Sequence, residues 1–354
     1  MNLTPEMKAQ LQEQKKQCIF CKLISGEMEA KKVFEDDVTV AMVDIYPAIK
    51  GHTLFLPKEH YPILPYMPQE EFKHLFGLVP GMCEAVKKAM VTTSCNVFIA
   101  SGGVAGQQAG HFLMHIFPRD QGDGFFNFFW KQKETLEDEK LKVLQNNFPI
   151  MMGNHFKRNP MSWHTGNGEQ PSFLKEVYEN GHVLYEDEQV LCVVPEKGVV
   201  KGHIEVYSKV EKSLIENLSI EESFHLFSTA SLAATLVFEG LGSQGTNIIL
   251  KSGTTDDNSE GKLCVHILPR SQDDGLNKTL LWEAKQPSYD VDSVMKKIKD
   301  KTWKVKYKEE AKKEETLIVK PEVIKIGSEK KDTDEDGSLG FEDEIKKAIE
   351  KIRN

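Results

Sequence analysis

"HIFPRDQGDG" at residues 115–124 returns as "HILPRSQDDG" at residues 266–275. Working outward from that pair, "NVFIASGG" (96–103) matches "NIILKSGT" (247–254), and "HLF" (74–76) matches "HLF" (225–227). "VFEDDVTVAMVDIYPAIKGH" (33–52) matches "LYEDEQVLCVVPEKGVVKGH" (184–203). One ungapped offset carries every match, as Gly51 and Gly202 define it (202 − 51 = 151). Chance similarity does not hold one register from about residue 33 to residue 124, so the chain contains a duplicated domain.

Each copy reads as an α+β unit with a meander-like antiparallel sheet. Two short β-rich runs (33–35 and 38–43) surround "EDD", and a further strand closes on "GHTLFLP" (51–57). Phe72, Leu75, Phe76, Val79 and Val86 fall near helical spacing and predict one amphipathic helix over roughly 69–90. A strand "NVFIAS" (96–101), a glycine-containing loop (102–110) and a last strand "HFLMHIF" (111–117), stopped by Pro118, follow. On that last strand residues 111, 113 and 115 would share one face. Residues 131–157 and 292–302 are predicted helical. The expected organisation is a first domain over 15–157, a linker over 158–171, a second domain over 172–305 and a charged tail over 306–354. Pairing the two copies within the chain would make an intramolecular pseudo-dimer; further association is left open.

The chain has 354 residues, room for two or three domains, and 40% of them are hydrophobic, enough for real cores. A net charge of −9 argues against a surface that coats nucleic acid. The N-terminal stretch is polar, and no apolar run approaches the ~18 residues that span a bilayer. The expected location is the cytoplasm, with no membrane partner. Of six cysteines only Cys18 and Cys21 are closely spaced. In a large chain of this kind C-x-x-C reads as a metal or redox pair.

"CIFCKLISGEMEAKKVFEDD" (18–37), "VDIYPAIKGHTLFLPKEH" (43–60) and "AGQQAGHFLMHIFPR" (105–119) resemble the histidine triad (HIT) superfamily, and its zinc-containing bacterial and archaeal branch in particular. The resemblance covers about 18–157 and, more weakly, 172–305. It implies nucleotide binding and nucleotidyl transfer or hydrolysis through a His-φ-His-φ-His motif. The middle histidine would attack the α-phosphorus, and the third histidine and loop groups would hold the phosphate oxygens. Here the motif is His111-Phe-Leu113-Met-His115, and a leucine has no lone pair to attack with. The second copy reads Lys262-Leu-Cys264-Val-His266. Cys264 is a nucleophile if its pKa is lowered and an inert buried thiol if Leu263 and Val265 keep it dry. His115 and His266 match the third histidine.

The resemblance further implies a structural zinc held by Cys18, Cys21, His60 and His111, a complete Cys2His2 set. The same offset leads to Glu169, Ser172, Glu211 and Lys262, so the second copy should be metal-free. A purine nucleotide or nucleotide conjugate is the implied partner. Asp44 would hold the ribose, Phe20 and Leu23 the base, and Gln107 and His115 the phosphate. Ala100 replaces the phosphate-contacting asparagine and Gln108 the loop Ser/Thr, so the phosphate half is eroded. The second copy reads as the more degenerate, with Pro195 at the Asp44 position, Asn258 at the glutamine position, and Ser259 retained. Plainer roles compete: Asp44 as a turn cap, His52 and His203 as strand ends, His74 and His225 as helix-face residues, and Asn96 and Asn247 as turn punctuation.

In the tail, "DTDEDGSLGFEDEI" (332–345) resembles an EF-hand loop. Asp332, Asp334 and Asp336 stand at positions 1, 3 and 5, and Asp343 at position 12 where glutamate is usual. It is either a weak calcium loop or a solvated acidic stretch. Three functions remain open: a nucleotide-binding protein without the histidine nucleophile, a hydrolase or transferase working through Cys264, His115 or His266 in an altered mechanism, and a non-catalytic scaffold.

Overall fold

The computed structural model describes residues 5–158, 160–210, 214–272 and 274–303; the EF-hand-like loop lies outside them. Repeat one comprises α1 (Pro5–Gln17), α2 (Ile19–Ser25), β1 (Lys32–Glu35), β2 (Thr39–Val43), β3 (Thr53–Pro57), α3 (Gln69–Gly77), α4 (Val79–Met90), β4 (Ser94–Ser101) and β5 (Met114–Arg119). Helix α5 (Asp138–Arg158) leads to repeat two, which comprises α6 (Lys175–Asn180), β6 (Gly181–Glu186), β7 (Val190–Pro195), β8 (Ile204–Ser208), α7 (Ile220–Leu241), β9 (Gly245–Ser252) and β10 (Cys264–Arg270). Helices α8 (Asn277–Leu280) and α9 (Val291–Lys299) follow.

The ten strands form one sheet in the order β1-β2-β3-β5-β4-β9-β10-β8-β7-β6. Each repeat supplies five antiparallel strands, and β4 pairs with β9 to join them. Phe98 faces Ile249 in that pairing, and these two residues are related by the offset of the sequence repeat. The pseudo-twofold axis therefore runs through this pair. The two copies are one pseudo-dimer inside one chain, and β4 and β9 cover each other's edges.

The alternation of β2 and β3 sets up two layers. Ala41, Val43 and Phe55 face the main core with the helices. Val40, Met42, Leu54 and Leu56 face the other way, onto Phe20 and Leu23 of α2. Helices α3, α4 and α7 cover the first face and meet across the axis, where the Phe76 and Phe227 rings lie 4.8 Å apart. Among the described residues α7 alone is long and apolar enough to cross a membrane, but it is packed on α3, α5 and the sheet as a core helix. A Ser219–Glu222 capping box starts it and Gly242 at φ 68° ends it.

Three local expectations need correction. The single helix expected over 69–90 is broken at Leu78 into α3 and α4. Pro80 has no N–H to give the Phe76 carbonyl, whereas α7 has Ser231 at that offset and stays continuous. The last strand begins at Met114, not His111, and runs through Pro118 to Arg119. Its pairing with β3 ends at Ile116, so Pro118 has a strand partner only on the β4 side. The helix expected from residue 131 begins at Asp138.

Residues 129–134 instead form an extended arm. Lys133 and Glu134 donate backbone hydrogen bonds to the Gly198 carbonyl of repeat two, at 2.8 and 2.9 Å. Helix α5 then packs on α7 and β6. The segment after β10 crosses the other way, and α9 packs on α4, β1 and β2. The exchange is reciprocal: each repeat is covered by the chain that leaves its twin.

Candidate functional site

Cys18, at the N-cap of α2, and Cys21, one turn on, face two histidines that precede and follow long loops. Cys18 Sγ lies 3.5 Å from His111 Nδ1, and Cys21 Sγ lies 3.4 Å from His60 Nδ1 and 3.6 Å from His111 Nδ1. Tetrahedral zinc with ordinary Zn–S and Zn–N bonds sets sulfur–nitrogen edges of about 3.5 Å. The His111 ring is oriented for this, since its Nε2–H donates to the Pro57 carbonyl at 3.0 Å and leaves Nδ1 as a lone pair. Burial, with the adjacent Cys18, pushes the Cys21 thiol up to about 12, a cost that a divalent cation between the sulfurs would remove. All four residues named from the sequence come together here.

A second histidine arrangement occurs in both repeats. His52 Nε2 lies 3.0 Å from His115 Nδ1, and His203 Nε2 lies 3.1 Å from His266 Nδ1. The amides of Ala48 and Val199 donate to Nδ1 of His52 and His203, each at 3.3 Å. That fixes the tautomer: Nε2–H of the first histidine donates to Nδ1 of the second, whose own Nε2 then carries a hydrogen. Burial holds His115 and His203 down at about 3, so both rings are neutral near pH 7. The plain reading of His52 and His203 as strand ends therefore falls: they are the orienting partners of His115 and His266. A metal at His203, Glu205 and His266 would require His203 as an imidazolate, because both its nitrogens are already committed. His74 and His225 likewise have a task, bonding Asp36 at 2.6 Å and Asp187 at 2.7 Å. Asn96 and Asn247 lie buried within β4 and β9, and Asn247 Oδ1 accepts from Arg270 at 2.6 Å.

In repeat one, Leu113 packs with Phe20, Leu23 and Leu54 in the apolar cluster under α2. Asp44 accepts from the Tyr46 amide at 2.8 Å and its other oxygen lies 3.4 Å from His52 Nδ1. Burial pushes the Asp44 carboxyl up, against the Tyr46 hydrogen bond. Gln107 accepts from the Gly102 amide at 2.8 Å and donates to the carbonyls of Pro62 and Ala109 at 2.7 and 2.9 Å. Both ends of its amide pin the loop. In repeat two the Asn258 Nδ2 group ties its loop, donating to the Gly253 and Lys262 carbonyls at 2.9 and 3.0 Å. Trp282, arriving from beyond repeat two, stands edge-on to His115 at 4.9 Å and to His52 at 5.3 Å.

Repeat two holds a cavity of about 490 Å³. Its walls include Trp130 and Gln132 of the arm from repeat one, together with Glu205, Tyr207, Lys251 and Cys264. Cys264 is packed against Leu174, Leu191 and Val193, and burial raises its thiol well above the ordinary value. That direction is opposite to what a thiolate nucleophile needs. Three polar residues here were passed over in the sequence. The repeat offset places Glu205 opposite Leu54, Lys251 opposite Ala100 and Asp257 opposite Gly106. For Glu205 and Lys251 the available signal is a charge at a buried strand position; Asp257 lies in the loop after β9 and has no such signal.

Comparison with known proteins adds the family. A family model described as the HIT domain matches residues 25–122 and 177–273, more than half of the chain. The chain belongs to the HIT family. An uncharacterized HIT-like protein of Methanocaldococcus jannaschii is 41% identical over 128 residues, covering 36% of this chain and 98% of that protein. Adenylylsulfatase HINT3 of Arabidopsis thaliana is 36% identical over 126 residues, covering 36% of this chain and 61% of that protein. A zinc-bound histidine triad family protein of Mycobacterium smegmatis shares 30% identity over 31% of this chain and 81% of that one, with a TM-score of 0.30. Both HIT segments fall on the two five-stranded halves of the sheet.

Proposed function

We propose that this HIT protein binds a purine nucleotide or nucleotide conjugate in repeat one and does not turn it over by a histidine nucleophile. The observation that carries the reading is Leu113, set in an apolar cluster at the attacking position while Asp44 and the His52–His115 pair persist beside it. His115 Nε2–H is a donor suited to a phosphate oxygen, and Asp44 is a carboxylate suited to two ribose hydroxyls. Phe20 and Leu23 offer apolar surface for a base. Zinc at Cys18, Cys21, His60 and His111 would fix α2, and with it Phe20 and Leu23, to the sheet. With four protein ligands it keeps no open position and has a structural task only.

The other reading, a hydrolase working through Cys264, has one observation in its favour: the thiol lines a cavity that also exposes His266. Its burial and raised pKa weigh against it. A thermal-shift panel separates the two. AMP or GMP is expected to raise the unfolding midpoint of the wild type and to lose that effect in Asp44→Ala, because binding to the native state stabilises it. Hydrolysis of an adenosine phosphoramidate is expected to stay at background. No nucleotide-dependent shift would overturn the binding reading, and turnover that disappears in Cys264→Ala would replace it with the second.

A further inference from the structure

The cavity in repeat two has charged and polar side chains in its lining. At its base, Glu205 is 5% exposed, with Gln132 donating to Oε1 at 2.9 Å and the Tyr207 hydroxyl donating to Oε2 at 2.8 Å. Both donors are neutral. Two titratable neighbours at close range are His266 at 3.5 Å and His203 at 3.8 Å, rings that burial keeps neutral near pH 7. Burial works to raise the Glu205 carboxyl, but the surrounding His266, His203 and Tyr207 outweigh it and hold the group at about 2, so it is a carboxylate near pH 7.

The nearby ammonium offers no relief and no seat for a phosphate. Lys251 Nζ donates to the Phe128 carbonyl at 2.9 Å and the Asp257 carbonyl at 2.8 Å, and pairs with the Asp257 carboxylate at 3.2 Å. All three of its hydrogens are used, and the Trp130 ring lies against it with the centroid at 3.7 Å. At the rim Lys262 is tied to Glu260 at 2.5 Å, while Lys197 and Glu196 are exposed and opposite in sign. A phosphate entering this cavity would meet a buried carboxylate with no free cation beside it. Repeat one has Leu54, Leu56, Ala100 and Gly106 at the positions of Glu205, Tyr207, Lys251 and Asp257, so the polar base belongs to repeat two alone.

We propose that the repeat-two cavity binds a small organic cation, an amine or guanidine, with Glu205 as its counter-ion. The volume suits a molecule of drug-like size or smaller. Trp130 and Tyr207 line the cavity together with the carboxylate, to which the Tyr207 hydroxyl donates, and this apolar wall beside a buried anion suits an alkyl chain ending in a cationic head. Gln132 and Trp130 come from the arm of repeat one, so the pocket is complete only in the joined chain. This inference is independent of nucleotide binding in repeat one.

The test is calorimetry and thermal shift on the full chain. The probes are 1,5-diaminopentane and n-butylguanidine, with n-pentanol, pentanoate and AMP as neutral and anionic counterparts. At least one cation is expected to bind and raise the midpoint. Glu205→Gln is expected to weaken that binding roughly thirtyfold or more, as for a charged group losing a buried partner. Asp44→Ala should leave it unchanged. Glu196→Arg, exposed at the rim, supplies a competing guanidinium without touching the base; it should weaken cation binding even if Glu205→Gln fails to fold. The proposal is overturned if neither cation outperforms pentanol and pentanoate, if both variants bind like the wild type, or if AMP binding is lost in Glu205→Gln but kept in Asp44→Ala.

Discussion

Four residues separate two kinds of imidazole chemistry. His111 gives its Nε2–H to a backbone carbonyl and turns Nδ1 toward thiols, whereas His115 receives a hydrogen bond at Nδ1 and presents Nε2–H. The first is an arrangement for a metal and the second for an anion. Metal analysis of purified protein is therefore expected to find about one zinc per chain, a closed four-ligand site. Cys18→Ser should abolish it, and a strong chelator should lower the midpoint of the wild type but not of the variant. Wild-type protein carrying no metal would contradict the assignment. The ligand set was legible in the sequence because it lies on a close motif and two recognisable flanks. The partnership of His52 with His115 was not, because it joins residues 63 apart through strand pairing. Nothing in either local sequence marks the contact.

At the scale of elements, the reciprocal arms decide which surfaces are covered. Gly81 of α4 is where the returning chain presses closest: a Cβ there would meet the Trp303 ring at 2.3 Å. Glycine in a helix interior ordinarily costs about 1 kcal/mol against alanine, and forced overpacking costs about 1–3 kcal/mol. Gly81→Ala is accordingly expected to destabilise the full chain by about 1 kcal/mol and to stabilise a Trp303→Ala background, a sign reversal that denaturant titration of the four proteins would measure. Equal effects in both backgrounds would mean that Trp303 does not seat there in solution. The helices and strands themselves were largely legible from periodicity. Pro80 signals the break at Leu78, and residues 131–134 of the arm read as helix in sequence because their local pattern lacks the edge they bond to. Where an arm goes depends on the partner surface, which local pattern does not encode.

For the whole molecule, the shared sheet makes the repeats dependent on one another. A fragment ending at residue 158 would expose the β4 edge, uncover Phe72 and Phe76, and leave α5 without its seat on α7. It is expected to self-associate through β4, and sedimentation showing a folded monomer would argue against this. The duplication and the antiparallel α+β plan could be read from one register of matches. The cavity could not, since the register of matches shows only residues lost from repeat two, whereas Glu205, Lys251 and Asp257 come to line one cavity only in the folded chain. An assembly of two identical subunits is self-complementary, so every substitution is made twice and the residue on the axis faces its own copy. Here Phe98 faces Ile249 instead. Fusion releases the halves from that obligation: one carries the Cys2His2 set, while the other has charged side chains where its twin has apolar ones.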